Sequence, residues 1–216
     1  MSIGLEISDK PIQHDFAKRL FDIIFSLCAL IGGVVIYLVI AIAVKLSSRG
    51  PIFYGQKRVG RGGKEFKCWK FRTMHVNAER RLLEILRRDP ALREEWEKYY
   101  KLKKDPRITK IGDLLRKTSL DELPQFWNVL KGDLSVVGPR PLCQEEVDKY
   151  LKEKSAKILS VRPGLTGVWQ TSGRNLVTYE ERVKLEESYI DNRSFLFDLG
   201  LICKTIPAMI FRKGAY

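Results

Sequence analysis

Between Ile23 and Val44 the chain runs for about 22 residues without a charge, enough in helical form to cross a bilayer core about 30 Å thick. A soluble domain would have to bury so long a run on every side, so a membrane-inserted helix is expected over residues 16–46. The run lies too deep in the chain for a cleaved leader, and no small-residue cleavage site follows it. Lys18 and Arg19 flank it on one side, and Lys45, Arg49, Lys57, Arg58 and Arg61 on the other. Positive charge marks the cytoplasmic side, and here both flanks qualify. A segment that enters and returns to one face satisfies both, but it needs a break. The run has no proline, which leaves Gly32-Gly33 as the membrane break. A straight span stays open as the alternative.

The remaining composition narrows the partners. Among 216 residues, 39 Lys and Arg oppose 26 Asp and Glu, a formal charge of +13. Such a balance points to phosphate-bearing partners: nucleic acid, anionic lipid or nucleotide substrates. The uncharged run and the lack of a nucleic-acid motif argue against the first. Cys28, Cys68, Cys143 and Cys203 are scattered without a C-x-x-C pair and read as reduced thiols. His14 and His75 are the only histidines, so a multi-histidine metal site or histidine proton relay is not expected.

Residues 1–15 are polar and expected to be a flexible N-terminus; residues 47–216 form the remaining domain. Pro51–Gly60 and Glu65–Arg72 read as strands joined by the turn Gly60-Arg61-Gly62-Gly63. Lys67, Lys70 and Arg72 interleave with Phe66, Trp69 and Phe71, giving either an anion-facing wall or a solvated basic face. His75–Lys104 reads as a charged helix pair broken near Asp89-Pro90, with a solvated or membrane-surface face. Helices are also expected over 108–117, 123–130 (with Phe126, Trp127 and Val129 as core), 143–157, 179–191 and 194–212. The last is apolar over most of its circumference, so core and interfacial placements are both open. Leu134–Gly138 reads as a buried strand and 161–175 as an irregular loop. The fold class is α+β, mostly helical, with a small β-hairpin.

Two adjacent carboxylates, Asp121 and Glu122, stand out in this basic chain, between Arg116-Lys117 and the helix expected to begin at Pro124. Free N–H groups and the helix dipole would favour their ionised forms. Ser119 and Glu122 also have capping-box spacing, so a plain cap competes with a nucleophile and metal ligand. Arg140, between Pro139 and Pro141, suits a fixed guanidinium fork for phosphate or a simple turn.

Lys18-Arg-Leu-Phe-Asp22, Lys70-Phe-Arg-Thr-Met74, Asp105-Pro-Arg-Ile-Thr109, Arg116–Asn128, Gly138-Pro-Arg-Pro141, Arg162-Pro-Gly-Leu-Thr-Gly167 and Ser172-Gly-Arg-Asn175 stand in one order along nearly the whole chain. In this the chain resembles the bacterial sugar transferase family, the monotopic polyprenyl-phosphate phosphoglycosyl transferases. It looks most like the catalytic part of undecaprenyl-phosphate galactose phosphotransferases, without their extra N-terminal helices. One departure is visible: where the family breaks its re-entrant helix at a Ser-Pro pair, this chain has Val34-Val35.

The resemblance implies transfer of a sugar-1-phosphate from a UDP-sugar to undecaprenyl phosphate, with UMP released, at the cytoplasmic face of the bacterial inner membrane. It implies a ping-pong reaction in which Asp121 becomes a phosphosugar ester and Glu122, with Asp121, binds Mg²⁺. Arg116, Lys70, Arg72 and Arg140 are candidates for the substrate phosphates. Gln170, Arg174 and Asn175 are candidates for nucleotide or sugar. Expected partners are the UDP-sugar, polyprenyl phosphate, anionic membrane lipids and a second copy in a homodimer, with no nucleic acid. The expected place in metabolism is the first membrane step of exopolysaccharide, O-antigen or glycoprotein glycan assembly.

Overall fold

A computed structural model describes residues 12–99, 102–172 and 177–210. The uncharged run is not one helix. Helix α1 (Ile12–Gly32) ends and α2 (Val34–Ser47) begins on either side of Gly33, with a 63° bend at the break. No single helix among the described residues is long and apolar enough to cross a membrane. The expected break at Gly32-Gly33 is therefore present. A Cβ at Gly32 would meet nothing within 4 Å.

The chain divides into two compact units. Among the described residues, the larger comprises 12–33, Gly55–Trp69 and 124–210; the smaller comprises Val34–Tyr54 and Lys70–Leu123.

In the larger unit, α1 is fixed by its polar residues. Asp22 is buried and accepts hydrogen bonds from Val136 N (3.0 Å) and Ser135 Oγ (3.1 Å). Arg19 donates to Val129 O and Leu130 O at 2.6 and 2.7 Å, satisfying end carbonyls of α6 (Gln125–Lys131). Lys18 pairs with Asp198. Phe16, Leu20, Ile24, Leu27 and Ile31 of the same helix are exposed.

Strands β1 (Phe53–Val59) and β2 (Glu65–Phe71) form the expected hairpin. Gly62 and Gly63 turn it with positive φ, which glycine adopts at no steric cost. A second sheet pairs β3 (Ser135–Val137) in parallel with β4 (Gly164–Thr166), inside the stretch expected to be irregular. The approach is close: a Cβ on Gly164 would lie 2.1 Å from Gly138 N. One core joins Cys68, Val129, Leu134, Val136, Val137, Tyr189 and Leu201; another joins Val59, Leu142, Val147, Leu151, Ile158 and Val183. Helices α7 (Tyr179–Asn192) and α8 (Phe195–Ile210) complete the unit. Buried Leu201 places part of α8 in the core.

Two expectations fail here. Residues 143–157 are not one helix: a single α-turn, a π-turn (Val147–Leu151), a 3₁₀ turn and a last α-turn succeed one another. Lys152 has φ 45°, which no regular helix allows. Trp127 is 54% exposed while Val129 is fully buried; α6 has seven residues and one buried face. None of the four cysteines is joined in a disulfide.

In the smaller unit, α2 packs Tyr37, Ile40, Ala41 and Val44 around Phe71 and Leu115. Val35, Ile36, Leu38, Val39, Ile42 and Leu46 stay exposed, an apolar surface larger than a soluble helix normally shows. Helices α3 (Ala78–Arg88) and α4 (Pro90–Tyr99) meet at Asp89-Pro90 as the sequence suggests, and α3 buries no residue. Helix α5 (Lys110–Thr118) follows.

Candidate active site

Helix α5 is capped at both ends. Thr109 Oγ1 accepts from Gly112 N at 2.9 Å. Ser119 closes the other end with φ 53°, its N–H directed at Leu115 O and Arg116 O. This left-handed position costs a residue with a side chain free energy that glycine would not lose. The chain then makes one 3₁₀ turn over Leu120–Glu122. Leu120 and Leu123 on either side of the dyad pack against the core of Ile40, Val44, Phe71 and Leu115. Tyr37 Oη donates to Leu123 O at 2.8 Å. The turn is thus held by two leucines and a tyrosine, and Asp121 is pressed inward, 8% exposed.

Ser119 makes no side-chain cap bond; Glu122 N reaches Ser119 O instead. The capping-box alternative is therefore not realised. Helical dihedrals already prevail at Leu123 and Pro124, and α6 begins at Gln125.

The electrostatics correct one expectation. Burial pushes the Asp121 carboxyl up to about 6, and the neighbouring Glu122 adds to the rise. Lys70, Arg116 and Asp121's own N–H oppose it without restoring the ordinary value. Desolvation outweighs the expected favour for the charged form.

Two of the expected cations come together here. Lys70 Nζ lies 2.6 Å from Glu122 Oε1. Arg116 Nε donates to Thr73 Oγ1 at 2.9 Å. Burial pushes the Arg116 guanidinium down, and Asp121 and Asp105 draw it back up. Behind it, burial would raise Asp105, but two-pronged hydrogen bonds from Arg107 hold the carboxyl below its usual range. Arg107 in turn lies over Trp96, 5.1 Å from its ring centre. Thr73, Asp105 and Arg107 are not among the residues that the sequence leads one to expect at the site. Thr73 is tied down by Thr109 N (3.0 Å to Thr73 O) and by Gly112, where a Cβ would lie 1.9 Å from that oxygen.

Arg72 is placed differently from Lys70. Its Nη groups donate to Arg49 O, Ser48 O and Ser48 Oγ at 2.7–3.2 Å, so the side chain closes the end of α2. Gly50, with φ 130°, leaves the room: a Cβ there would lie 2.1 Å from Arg72 Nη1. Lys67 is exposed, so the three strand cations do not share one wall.

Arg140 and Gln170 belong to the larger unit. Arg140 is half-buried, with its Cζ 4.9 Å from the ring centre of Trp169. Gln170 sits in a one-turn helix, Val168–Thr171. Arg174 and Asn175 lie outside the described residues.

A buried acid in a tight turn, with a second acid beside it and two cations on it, is equipped to attack an electrophilic phosphate. The bacterial sugar transferase family model matches residues 13–212. The chain belongs to the bacterial sugar transferase family. It is 46% identical over 214 residues to a UDP-galactose-lipid carrier transferase of Erwinia amylovora, covering 98% of this chain and 44% of the relative. It is 47% identical over 201 residues to the exopolysaccharide production protein ExoY of Sinorhizobium fredii, covering 93% and 88%. It is 47% identical over 203 residues to an undecaprenyl-phosphate galactose phosphotransferase of Salmonella typhimurium, covering 93% and 42%. The chain thus spans less than half the length of two of these relatives and most of the third.

Proposed function

We propose that this sugar transferase moves a sugar-1-phosphate from a UDP-sugar to undecaprenyl phosphate, in two displacements at Asp121. In the first, an Asp121 carboxylate oxygen attacks the phosphorus that carries the sugar. The bond from that phosphorus to the UMP oxygen breaks, and UMP leaves with the electron pair. In the second, a phosphate oxygen of undecaprenyl phosphate attacks the same phosphorus, and the Asp121 carboxylate is released. Both nucleophiles are anions, so no proton relay is required, which suits a chain with two histidines. Stabilising the transferring phosphoryl group is a matter of charge and position. Lys70 and Arg116 carry that charge beside Asp121. The observation that carries the proposal is Asp121 itself: buried in a braced turn, with Lys70 and Arg116 both acting on its charge.

The donor set also suits a hard divalent cation. Two adjacent carboxylates, one resisting ionisation because of burial and its neighbour, gain most from a nearby double charge, and substrate phosphates complete such a shell. Asp121 and Glu122 would hold Mg²⁺, which would neutralise phosphate charge there. Among the described residues no group of three or more acidic, Cys or His ligands could hold a metal alone.

The exposed apolar residues of α1 and α2 support a membrane-inserted, re-entrant pair at the cytoplasmic face of the bacterial inner membrane. Polyprenyl phosphate would be met at the headgroups, in the first lipid-linked step of surface-glycan assembly. Cysteine labels at Lys10 and Gly55 are expected to react only from the cytoplasm. Labelling from opposite sides would show a span.

The reaction is tested by incubating the protein with UDP-galactose and Mg²⁺ but no lipid. The expected result is about one equivalent of UMP per site and a phosphohexose mass on Asp121, both lost in Asp121→Asn. UDP-glucose and UDP-N-acetyl sugars run in parallel identify the donor. No adduct with any donor, and no turnover with undecaprenyl phosphate, would reduce the chain to a membrane-bound scaffold.

A further inference from the structure

Pro139 and Pro141 have no N–H, so Pro139-Arg140-Pro141 holds a single backbone donor. That donor, Arg140 N, is spent on a side chain, Glu186 Oε1, at 3.1 Å. Gly164 N holds the tripeptide from the other direction through Pro139 O at 2.8 Å. Glu186 belongs to α7 and is 4% exposed. Burial pushes its carboxyl up to about 7, although Arg140 N–H and the charges of Arg182 and Arg140 pull it down.

One turn earlier on α7 stands Arg182, 8% exposed. Its Cζ lies 4.5 Å from the ring centre of Trp169 and 5.1 Å from that of Tyr179. Arg140 and Arg182 therefore share one indole, and each guanidinium raises the energy of the other. Burial pushes Arg182 down, with Arg140 as the next cause. Glu186 and Glu146, whose Oε1 is 3.9 Å from Arg182 Nη1, offset part of that repulsion.

Arg182 Nη2 and Glu186 Oε2 are sealed from solvent without a hydrogen-bond partner. A buried, incompletely satisfied charge array stabilises less than apolar side chains of the same volume would. It is a poor way to hold a fold together. A sealed nitrogen also cannot reach a substrate, so Arg182 can act only through what it touches. It touches Tyr179, Glu146 and Trp169, and Trp169 is shared with Arg140.

We infer that Glu186 and Arg182 are positioning residues: with Trp169 against both guanidinium groups, they fix Arg140 in one orientation toward a phosphate of the nucleotide. The inference rests on the reading of Arg140 as a phosphate ligand. Glu186 sets the backbone of Arg140, and Arg182 with Trp169 sets the side chain. Neither residue contacts the ligand.

UDP, the portion shared by the candidate donors, is the probe, with its Kd measured by calorimetry on the purified full chain with Mg²⁺. Arg140→Ala is expected to weaken UDP binding about tenfold or more, the range of a charged hydrogen bond. Arg182→Met and Glu186→Leu should each weaken it about tenfold, and Glu186→Gln, which keeps an acceptor for Arg140 N–H, should return it to within about threefold. Arg182→Met added to Arg140→Ala should cost nothing further, because the group it positions is gone. If Glu186→Leu does not fold, Arg182→Lys decides, since it keeps the charge but loses the planar stack. Unchanged Kd in both Arg182 variants, or additive losses in the double variant, would overturn the inference alone. Unchanged Kd in Arg140→Ala would overturn the phosphate reading and the inference with it.

Discussion

Two buried carboxyls, one in each unit, resist ionisation for the same reason, and the roles proposed for them differ. Asp121 in the smaller unit is pushed up to about 6 and Glu186 in the larger to about 7, both chiefly by burial. Both feel two cations: Lys70 and Arg116 in one case, Arg182 and Arg140 in the other. The difference lies in where their oxygens go. Glu186 has one oxygen on a backbone N–H and the other walled in. Asp121 sits on a turn between two anchoring leucines, next to a second carboxylate that is itself half-exposed. A raised pKa alone therefore does not separate a nucleophile from a brace. The neighbours do: Asp121 stands next to a half-exposed second carboxylate, whereas Glu186 is tied to a backbone N–H with its other oxygen sealed.

The contrast is broken most severely by removing each acid. Asp121→Asn is expected to lower UMP release at least about ten-thousandfold, as loss of a covalent nucleophile does. Glu186→Gln should stay within about tenfold, since it keeps an acceptor and no chemistry passes through it. Comparable losses in both variants would erase the distinction.

Arg116→Met should reduce kcat/KM by about a hundred- to a thousandfold, the scale for a fixed charge facing a developing anion. The burst of UMP should slow in proportion. An unaffected burst would move Arg116 out of the first displacement.

The third effect is on stability in metal-free protein. Each carboxyl binds its proton more tightly folded than unfolded, so this contribution is complete below the unfolded value and is lost as pH rises through the folded one. For Asp121 the loss runs from pH 3.8 to about 6, and for Glu186 from 4.5 to about 7. Asp121→Asn and Glu186→Gln should therefore each gain up to about 3 kcal/mol over wild type at pH 8, and nothing at pH 3.5. Urea melts in EDTA across that range would show the two gains levelling off one pH unit apart. Coincident windows would mean that the two sites are equally buried.

The smallest effect tests the support behind Arg116. Thr73→Val removes the oxygen that accepts from Arg116 Nε and should cost about tenfold in kcat/KM, with the thermal midpoint nearly unchanged. A large drop in midpoint with normal kcat/KM would make Thr73 structural.

The parts readable in the sequence were those carried by short-range chemistry. The Asp121-Glu122 pair, the glycine turn of the hairpin, the Asp89-Pro90 break and the Gly32-Gly33 interruption each declare themselves within a few residues. Long-range partners were not readable. Arg72 and Lys70 look alike on one strand, but Arg72 lies next to a helix end whose carbonyls lack donors, and no local pattern announces that. Strand β4 has two glycines or threonines for every apolar residue, so it shows no strand periodicity; it exists because Gly138 lets another backbone approach. Residues 143–157 carry an adequate helical pattern, and only the φ of Lys152 and the packing of Val147, Leu151 and Ile158 into one core divide it. Asp105 was visible within a motif, but its electrostatic support of Arg116, a residue of the helix that follows it, was not.

Asn128 has an effect beyond its hydrogen bonds. Fully buried, it accepts from Trp69 N at 2.9 Å and donates to Lys67 O at 2.7 Å, which is how a residue of a neighbouring strand would engage β2. Its carboxamide thus stands in for a missing third strand. A two-stranded ribbon ordinarily offers its outer backbone to any extended peptide, including another copy of itself. Here that opening is occupied from within. One side chain protects the hairpin that leads into Lys70 from templated association, and Asn128→Leu would expose it as an aggregation seed while leaving every charged residue of the site in place.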